Sequence, residues 1–227
     1  IASVADLDVS PIVDLFKTKE PEISAEQTAR LKLVAAARPL WQSSIVDESK
    51  VAVFSPAFAN GAVYAANSEG RLVRLDSATG KQAWNIDTQH KLSGGVGVGE
   101  GMMLVGTFKG EVLAFDDTGK SLWKAQVSSE VLGPPQADSG VVVVRTGDGR
   151  IFGLDAANGK RKWVYQGATP ALTVRNPSRV LIKSGAVFAG FAGGKLTALS
   201  LSNGNVKWEA TVSRPRGATE LERITDI

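Results

Sequence analysis

The chain has 227 residues, of which 43% are apolar, and this is enough to bury a sizeable core. No stretch approaches the roughly 18 apolar residues that a membrane-spanning helix needs. The absence of cysteine excludes disulfides, thiolate metal ligands and thiol nucleophiles. The formal net charge is +3, and the lysines and arginines are spread along the chain without the clustering typical of nucleic-acid binding.

The first 38 residues differ in pattern from the rest of the chain. Ser24 and Gln27 have the spacing of a capping box, and helix-forming residues follow them as far as Arg38. A polar arm, DLDVSPIVDLFKTKEPEI, precedes this segment. We therefore predict an N-terminal arm and a short helix over residues 1–38. Because the chain begins at Ile1 rather than at methionine, we expect a processed or trimmed chain from which any targeting segment is missing.

From residue 39 onward, tryptophan is confined to one repeated position. The five tryptophans recur every 39 to 45 residues, as Trp41, Trp84, Trp123, Trp163 and Trp208. The last four end similar phrases, RLDSATGKQAW, AFDDTGKSLW, GLDAANGKRKW and ALSLSNGNVKW. Self-similarity at this period indicates a stacked or radial array, in which each repeat is one supersecondary unit.

Each repeat has the pattern of four short strands. In residues 61–84, three apolar or alternating runs are separated by turns that contain Gly70 and Gly80, and residues 51–58 supply one more run. Four short strands in about 40 residues are typical of a β-propeller blade. We therefore predict an all-β fold, with four-stranded antiparallel blades over residues 39–212. The tryptophans are predicted to be structural residues that cover the junctions between blades.

The recurring phrase A-x-D-x-x-T-G-x-x-x-W resembles the tryptophan-docking repeat of the PQQ-type propellers. The resemblance covers residues 39–212 and recurs in register. Arg74 stands where the repeat has alanine, Ser200 stands where it has aspartate, and the second copy is one residue shorter in its turn. These departures weaken individual copies and leave the pattern intact.

The ring of blades is not predicted to close within this chain. Trp41 ends a blade whose first three strands are not found upstream, and residues 209–227 are too few for three more strands. We therefore predict about half of a larger propeller, in which the strand around Trp41 pairs with sequence outside the chain. Residues 213–227, SRPRGATELERITDI, have no strand pattern and are predicted to be an inter-blade loop that leads to the second half.

Several residues are of types found in catalytic or ligand-binding sites, but their sequence context favours structural roles. His90 lies in a turn-like stretch without recognisable partners for metal binding or catalysis. The glycine-rich residues 94–101 fail the G-x-G-x-x-G spacing and lead into a strand, which favours a crowded inner strand over a phosphate loop. Asp76, Asp116 and Asp155 recur once per blade, which is typical of aspartates that stabilise turns.

The quinoprotein dehydrogenases share this repeat and provide the enzyme alternative. Resemblance to that family implies a calcium site, a tryptophan floor and often a vicinal cysteine pair. This chain has no cysteine and no tryptophan outside the repeat. We therefore predict no enzymatic activity and no cofactor or metal, with a quinoprotein dehydrogenase fragment as the alternative.

The repeat is interrupted between the third and fourth blades, and such interruptions often carry the function of a repeat protein. Here Pro170 and Pro177 bracket Leu172, Val174 and Arg175. Apolar residues with an arginine on a proline-bounded loop are typical of a protein-binding site. The alternative is an ordinary strand that enters the fourth blade, with its two apolar residues in the core.

Three segments outside the repeat resemble the BamB family of propeller lipoproteins, which belong to the β-barrel assembly machinery of the bacterial outer membrane. They are HKLSGGV before the second blade, PALTVRN after the third and GATELERITDI after the fourth. The resemblance spans residues 39–227. It implies an eight-bladed propeller, of which this chain holds about four blades. It also implies a non-enzymatic protein on the periplasmic face of the outer membrane, with a lipid anchor on a cysteine upstream of Ile1.

The same resemblance implies a partner and a site. The partner is the set of POTRA domains of BamA, and unfolded outer-membrane proteins would be a second class of partner. The partner-binding residues carry over to Leu172, Val174, Arg175 and Asp226, with Val174 a mild apolar departure. A second aspartate of the family pattern would lie beyond Ile227. The alternative within the same class is a propeller that serves another periplasmic complex.

Overall fold

The computed structural model describes residues 38–45, 53–167 and 179–212, which contain seventeen β-strands. The chain divides into two compact units, residues 1–39 and residues 40–227. Only Arg38 and Pro39 of the first unit are described, so the predicted N-terminal arm and helix lie outside the described residues. The predicted inter-blade loop over residues 213–227 lies outside them as well.

Sixteen of the strands form four blades, each an antiparallel sheet in which consecutive strands are neighbours. The first strand of the chain is β1 (Val53–Phe54). Blade 1 contains β2 (Ala57–Ala59), β3 (Ala62–Ala66), β4 (Arg71–Asp76) and β5 (Gln82–Asp87), and blade 2 contains β6 (Leu92–Gly99), β7 (Met102–Thr107), β8 (Glu111–Asp116) and β9 (Ser121–Gln126). Blade 3 contains β10 (Gln136–Asp138), β11 (Val141–Arg145), β12 (Arg150–Asp155) and β13 (Arg161–Gln166), and blade 4 contains β14 (Leu181–Lys183), β15 (Ala186–Phe191), β16 (Lys195–Ser200) and β17 (Val206–Thr211).

The hydrophobic core lies between the blades rather than within them. Strand β11 is buried along Val141–Val144 because it faces a neighbouring blade on each side. Val142 and Val144 pack with blade 2 residues, whereas Val141 and Val143 pack with blade 4 residues. A strand covered on both faces reads as a continuous apolar run instead of an alternating one. This explains why VVVV and MMLV are the most apolar strands of the repeat.

The first strands of successive blades lie against one another, in the order β2, β6, β10 and β14. This arrangement makes them the inner strands of the array and confirms the prediction for the glycine-rich run. A Cβ atom added to Gly94, Gly97 or Gly99 of β6 would overlap backbone oxygen atoms of Val131, Pro135 or Ala137. Glycine at these positions therefore lets blade 3 approach β6 closely.

One predicted strand differs from the structure, and a second is not formed by this chain alone. Only residues 57–59 of the predicted first strand pair with β3, whereas Val53 and Phe54 pair in parallel with Gly94 and Gly95 of blade 2. The segment around Trp41, predicted to form a strand with sequence outside this chain, has no strand among residues 38–45, and that pairing stays a prediction. A strand requires a partner for its backbone N–H and C=O groups, and the described residues offer none to this segment.

The two ends of the sheets carry different connections. At one end, the turn between the second and third strands hydrogen-bonds to the chain that leaves the blade, as in Thr88 N to Gly70 O at 2.8 Å and Val127 N to Gly110 O at 2.8 Å. We call this end the connection end. At the opposite end, the turn between the third and fourth strands bonds to the turn between the first two, as in Ser77 N to Gly61 O at 3.0 Å. We call this the docking end.

Candidate functional site

Neighbouring blades are joined at the docking end by a tryptophan hydrogen bond. The indole Nε1 of four of the five tryptophans donates to a backbone carbonyl in the turn between the third and fourth strands of the following blade. The pairs are Trp41 with Ser77 at 2.9 Å, Trp84 with Asp117 at 2.9 Å, Trp123 with Ala156 at 2.8 Å and Trp163 with Leu201 at 2.9 Å. Trp41 therefore docks on blade 1 although its own segment is not a strand.

The glycine of each turn makes room for the docked indole. A Cβ atom at Gly159 would lie 2.6 Å from Trp123 Cε3, and one at Gly204 would lie 2.6 Å from Trp163 Cε3. Both glycines also have positive φ angles, 71° and 73°, which residues with a side chain rarely adopt. The turn that contains the T-G or N-G dipeptide of one blade therefore receives the tryptophan of the blade before it.

The tryptophans are not equally buried. Trp123 and Trp163 are 9% and 7% exposed, whereas Trp84 is only half-buried. The turn that receives Trp84 is the one that is a residue shorter, and a Cβ atom at Gly119 would lie as far as 3.4 Å from this indole. Trp208 is 44% exposed, and no turn of the described residues receives it.

An aspartate holds the docking turn in shape. Asp76 Oδ1 accepts hydrogen bonds from Thr79 N at 2.8 Å and Thr79 Oγ1 at 2.7 Å. Asp116 Oδ1 accepts from Thr118 Oγ1 at 2.6 Å and from Lys120 N at 2.9 Å. These bonds, from the threonine hydroxyl first and then from the backbone, lower the pKa of Asp76 and of Asp116 below the usual carboxyl value. The prediction that the repeated aspartates stabilise turns is confirmed.

The two substitutions within the repeat are accommodated locally. Arg74, which pairs across the sheet with Trp84, donates from Nε to the Tyr64 hydroxyl at 3.3 Å. Ser200 replaces the turn aspartate, and its hydroxyl lies 3.1 Å from that of Ser202. The turn backbone is retained, because Gly204 N still donates to Ser200 O at 2.8 Å.

His90 belongs to a polar network between blades 1 and 2. Its Nδ1 lies 2.6 Å from Thr88 O, and its Nε2 lies 3.7 Å from Glu111 Oε2. Glu111 also bonds to Lys124 at 3.0 Å. Burial by itself raises the pKa of Glu111, but Lys124 and His90 outweigh it and the pKa lies below the ordinary value. Among the described residues, no group of three or more potential metal ligands comes together.

The predicted partner-binding residues lie outside the described residues. This applies to Leu172, Val174, Arg175 and Asp226, and the hypotheses of a binding loop and of an ordinary strand both stay predictions. These residues belong to two segments, residues 168–178 and residues 213–227. The structure does describe Gly167 and Val212, which immediately precede the two segments.

Both segments depart from the connection end beside the same turn of blade 4. Gly167 precedes the first segment, and a Cβ atom placed on it would lie 3.1 Å from Phe191 Cε1. Val212 precedes the second segment, and its N–H donates to Gly194 O at 2.8 Å. Residues 191–194 therefore adjoin the starting points of both segments.

An arginine that the sequence analysis missed lies beside this turn. Arg145 donates from Nη1 to Gly190 O at 2.7 Å, and its guanidinium lies 5.1 Å from the centroid of the Phe191 ring. Burial lowers the pKa of Arg145. The signal was present in the repeat, because the equivalent positions of the other blades are Ala66, Gly106 and Gly190.

These observations define the class of protein. Four-stranded antiparallel blades, joined by a tryptophan of one blade and a glycine-containing turn of the next, form a β-propeller of the PQQ type. Within the described residues no helix is long and apolar enough to cross a membrane.

The comparisons identify the family within this class. The chain belongs to the family of outer membrane protein assembly factor BamB, whose family model matches residues 27–92 and 68–227. It is 55% identical to the BamB of Nitrosomonas eutropha over 228 residues, which cover 100% of this chain and 56% of that relative. It is 42% identical to the BamB of Bordetella pertussis over 190 residues, which cover 84% of this chain and 49% of the relative.

Solved structures agree with the fold. The crystal structure of BamB from Moraxella catarrhalis matches with a TM-score of 0.69 and 28% identity, over 75% of this chain and 52% of that one. A quinohemoprotein alcohol dehydrogenase from Comamonas testosteroni matches with a TM-score of 0.56 and 18% identity, over 70% of this chain and 34% of that one, a likeness of fold alone. The all-β propeller prediction is confirmed. The chain spans about half the length of the curated relatives it matches.

Proposed function

We propose that the chain is part of a non-enzymatic scaffold of the β-barrel assembly machinery, at the periplasmic face of the outer membrane. The scaffold docks on the POTRA domains of BamA and aids the insertion of outer-membrane proteins. Membership of the BamB family supports the assembly role. The proposal includes a lipid anchor in the outer membrane.

One structural observation supports the proposed location of the docking site. Both irregular segments depart beside residues 191–194. Arg175 is eight residues beyond Gly167, and Asp226 is fourteen residues beyond Val212. An extended chain spans about 3.3 Å per residue, so both residues are within reach of one surface at the connection end.

The proposed site combines apolar and charged contacts. Leu172 and Val174 supply the apolar anchor, and Arg175 supplies a charge-assisted hydrogen bond or ion pair to the partner. Asp226 either braces Arg175 or binds a basic group of the partner. Arg145 lies over the Phe191 ring, and this ring adjoins Gly167, from which the first segment departs.

The engagement of the tryptophans supports a non-enzymatic role. Trp41, Trp84, Trp123 and Trp163 each donate to a turn of the next blade. They are therefore occupied in joining blades and do not form a floor for a quinone. A redox-dye assay with added quinone and calcium tests this part of the proposal, and dye reduction above the protein-free rate would contradict it.

The docking proposal is tested with Arg175→Glu in the full-length protein and isolated POTRA domains. We expect the affinity in calorimetry to fall by about thirtyfold or more, because interface energy concentrates in a few apolar and arginine anchors. The melting temperature should stay unchanged, since an exposed loop contributes little core energy. Arg71→Glu, a charge reversal at the exposed first residue of β4, is the matched control and should bind normally.

Two results would overturn this location of the site. Unchanged affinity of the Arg175→Glu protein would remove Arg175 from the interface. A loss of affinity together with a large drop in melting temperature would instead favour the ordinary strand, with Leu172 and Val174 in the core.

A further inference from the structure

A groove opens on the outer side of the propeller between blades 2 and 3. Its volume is about 480 Å³, which lies within the usual range of about 300–1,000 Å³ for ligand-binding clefts. Phe152 and Val127 are buried at its floor, and Val164 on its wall is 46% exposed. Arg150 and Arg161 also line it. We call this feature the blade 2–3 groove.

The internal repeat allows the blade 2–3 groove to be compared with the junctions between blades 1 and 2 and between blades 3 and 4. At both of these junctions, polar side chains occupy the equivalent positions. Between blades 1 and 2 these positions hold the network of His90, Glu111 and Lys124. Between blades 3 and 4 they hold Glu209, whose Oε1 accepts from the Tyr165 hydroxyl at 3.1 Å and lies 3.4 Å from Thr197 Oγ1.

Blade 3 has different residues at the equivalent positions. Val164 stands where blade 2 has Lys124 and blade 4 has Glu209, and Phe152 stands where blade 4 has Thr197. Across the gap, blade 2 offers Ala125 where blade 3 offers Tyr165 to blade 4. Blade 2 thus has a methyl group where blade 3 has a phenol ring, and Val164 with Phe152 stands where blade 4 has the polar pair Glu209 and Thr197.

A β-bulge places the positively charged side chain of Arg161 beside the apolar wall of the groove. The register of β12 and β13 shifts between Gly153 and Leu154, so that Arg161 pairs with Leu154 while Val164 pairs with Phe152. Since Phe152 and Leu154 are two residues apart on one strand, Arg161 lies on the same face as Val164. Arg161 is exposed and forms no ion pair with any described residue.

The second arginine is already engaged. Arg150 Nη1 lies 3.1 Å from Asp148 Oδ2, and its Nε donates to Gln166 Oε1 at 3.3 Å. The uncompensated charge of the groove is therefore that of Arg161. In addition, β13 is the last strand of its sheet, so that one edge of its backbone has no strand partner among the described residues.

We propose that the blade 2–3 groove binds an extended peptide segment of another protein. The segment places an apolar side chain against Phe152 and Val164, and a carboxylate two residues away on Arg161. This spacing follows from the register, because residues i and i+2 of an extended chain lie on one face about 7 Å apart. The site is separate from the segments that carry Arg175 and Asp226, and it does not rest on the proposed function.

The probe is a fluorescein-labelled peptide of sequence GTVTETG, which has valine and glutamate two residues apart. Fluorescence anisotropy should show saturable binding to the protein. The peptides GTVTQTG and GTSTETG, which lack the charge and the apolar side chain respectively, should each bind about tenfold more weakly or worse. Equal binding of all three peptides would overturn the proposal, as would the absence of binding by GTVTETG.

Protein variants locate the bound peptide. Arg161→Glu should weaken binding about tenfold or more, and Ala125→Tyr, which installs the side chain present at the next junction, should block the groove. Lys160→Glu has the same charge change in the adjacent exposed turn and should bind within about twofold of the original protein. Thermal melts check that each variant is folded.

The remaining outcomes also decide the proposal. Binding that survives both Arg161→Glu and Ala125→Tyr would place the peptide elsewhere and overturn it. Sedimentation of the protein alone tests a second copy as occupant. Self-association that Arg161→Glu abolishes, without peptide binding, would make the groove an interface between copies and would equally overturn the proposal.

Discussion

The indole Nε1 of Trp123 donates a 2.8 Å hydrogen bond to the carbonyl oxygen of Ala156. This bond joins the last strand of blade 2 to the last turn of blade 3. Both partners are buried, so the indole N–H would have no water to replace this acceptor. The same relationship recurs at three other positions of the chain, and it makes each blade depend on the next.

Replacement of Trp123 by alanine should strongly destabilise the protein. Trp123 is 9% exposed, and loss of a large buried aromatic typically costs about 3–5 kcal/mol of unfolding free energy. Trp208→Ala is the matched control. Because Trp208 is 44% exposed, its replacement should lower the unfolding free energy clearly less. Denaturant unfolding of the chain measures both. Equal losses would show that docking on the next blade contributes nothing to stability.

Replacement of Gly159 by alanine should cost more than replacement of Gly140. Both residues have positive φ angles, 71° and 73°, so the backbone strain of about 1 kcal/mol is common to both. Only at Gly159 would the added Cβ meet the Trp123 ring; at Gly140 nothing lies within 4 Å. We expect Gly159→Ala to cost about 1–3 kcal/mol more, the usual penalty of overpacking. Similar unfolding midpoints would contradict the role of the turn glycine as a receptor.

Asp116→Asn should change the stability profile at acid pH. The Thr118 hydroxyl and the turn amides hold the pKa of Asp116 below 3.8, its unperturbed value. A folded-state pKa lower than the unfolded one contributes stability above pH 3.8, and this is lost as the pH falls through the folded-state pKa. The melting temperatures of the two proteins should therefore differ most at neutral pH and converge in acid. A difference in melting temperature that stays the same at every pH would show that ionisation of Asp116 does not contribute to stability.

Arg145→Met should destabilise the junction between blades 3 and 4. The substitution keeps an apolar stem but removes the hydrogen bond to Gly190 O and the contact with the Phe191 ring. We expect a loss of about 1–3 kcal/mol in urea unfolding. Arg145→Lys should restore only part of it, because an ammonium group cannot stack as a planar guanidinium does. Full rescue by lysine would mean that charge alone matters.

Much of the site architecture was readable from particular residues. The period of the tryptophans predicted blades, and the recurrence of one aspartate per blade predicted turns held by Asp76, Asp116 and Asp155. The unusual Arg145 was readable too, since it replaces a small residue of the repeat, but it draws attention only when the strands are aligned by register. The location of Leu172, Val174, Arg175 and Asp226 stays a prediction.

The sequence by itself determined the number of strands per repeat and the turn chemistry, because both depend on residues close together in the chain. Only the tertiary structure decided which turn each tryptophan contacts, why Trp84 is less buried than Trp123, and that Val53 and Phe54 join blade 2. These outcomes depend on how neighbouring blades approach one another. The blade 2–3 groove is of the same kind: Ala125 and Val164 are unremarkable in sequence, and they leave an opening only because two different blades bring them to one junction.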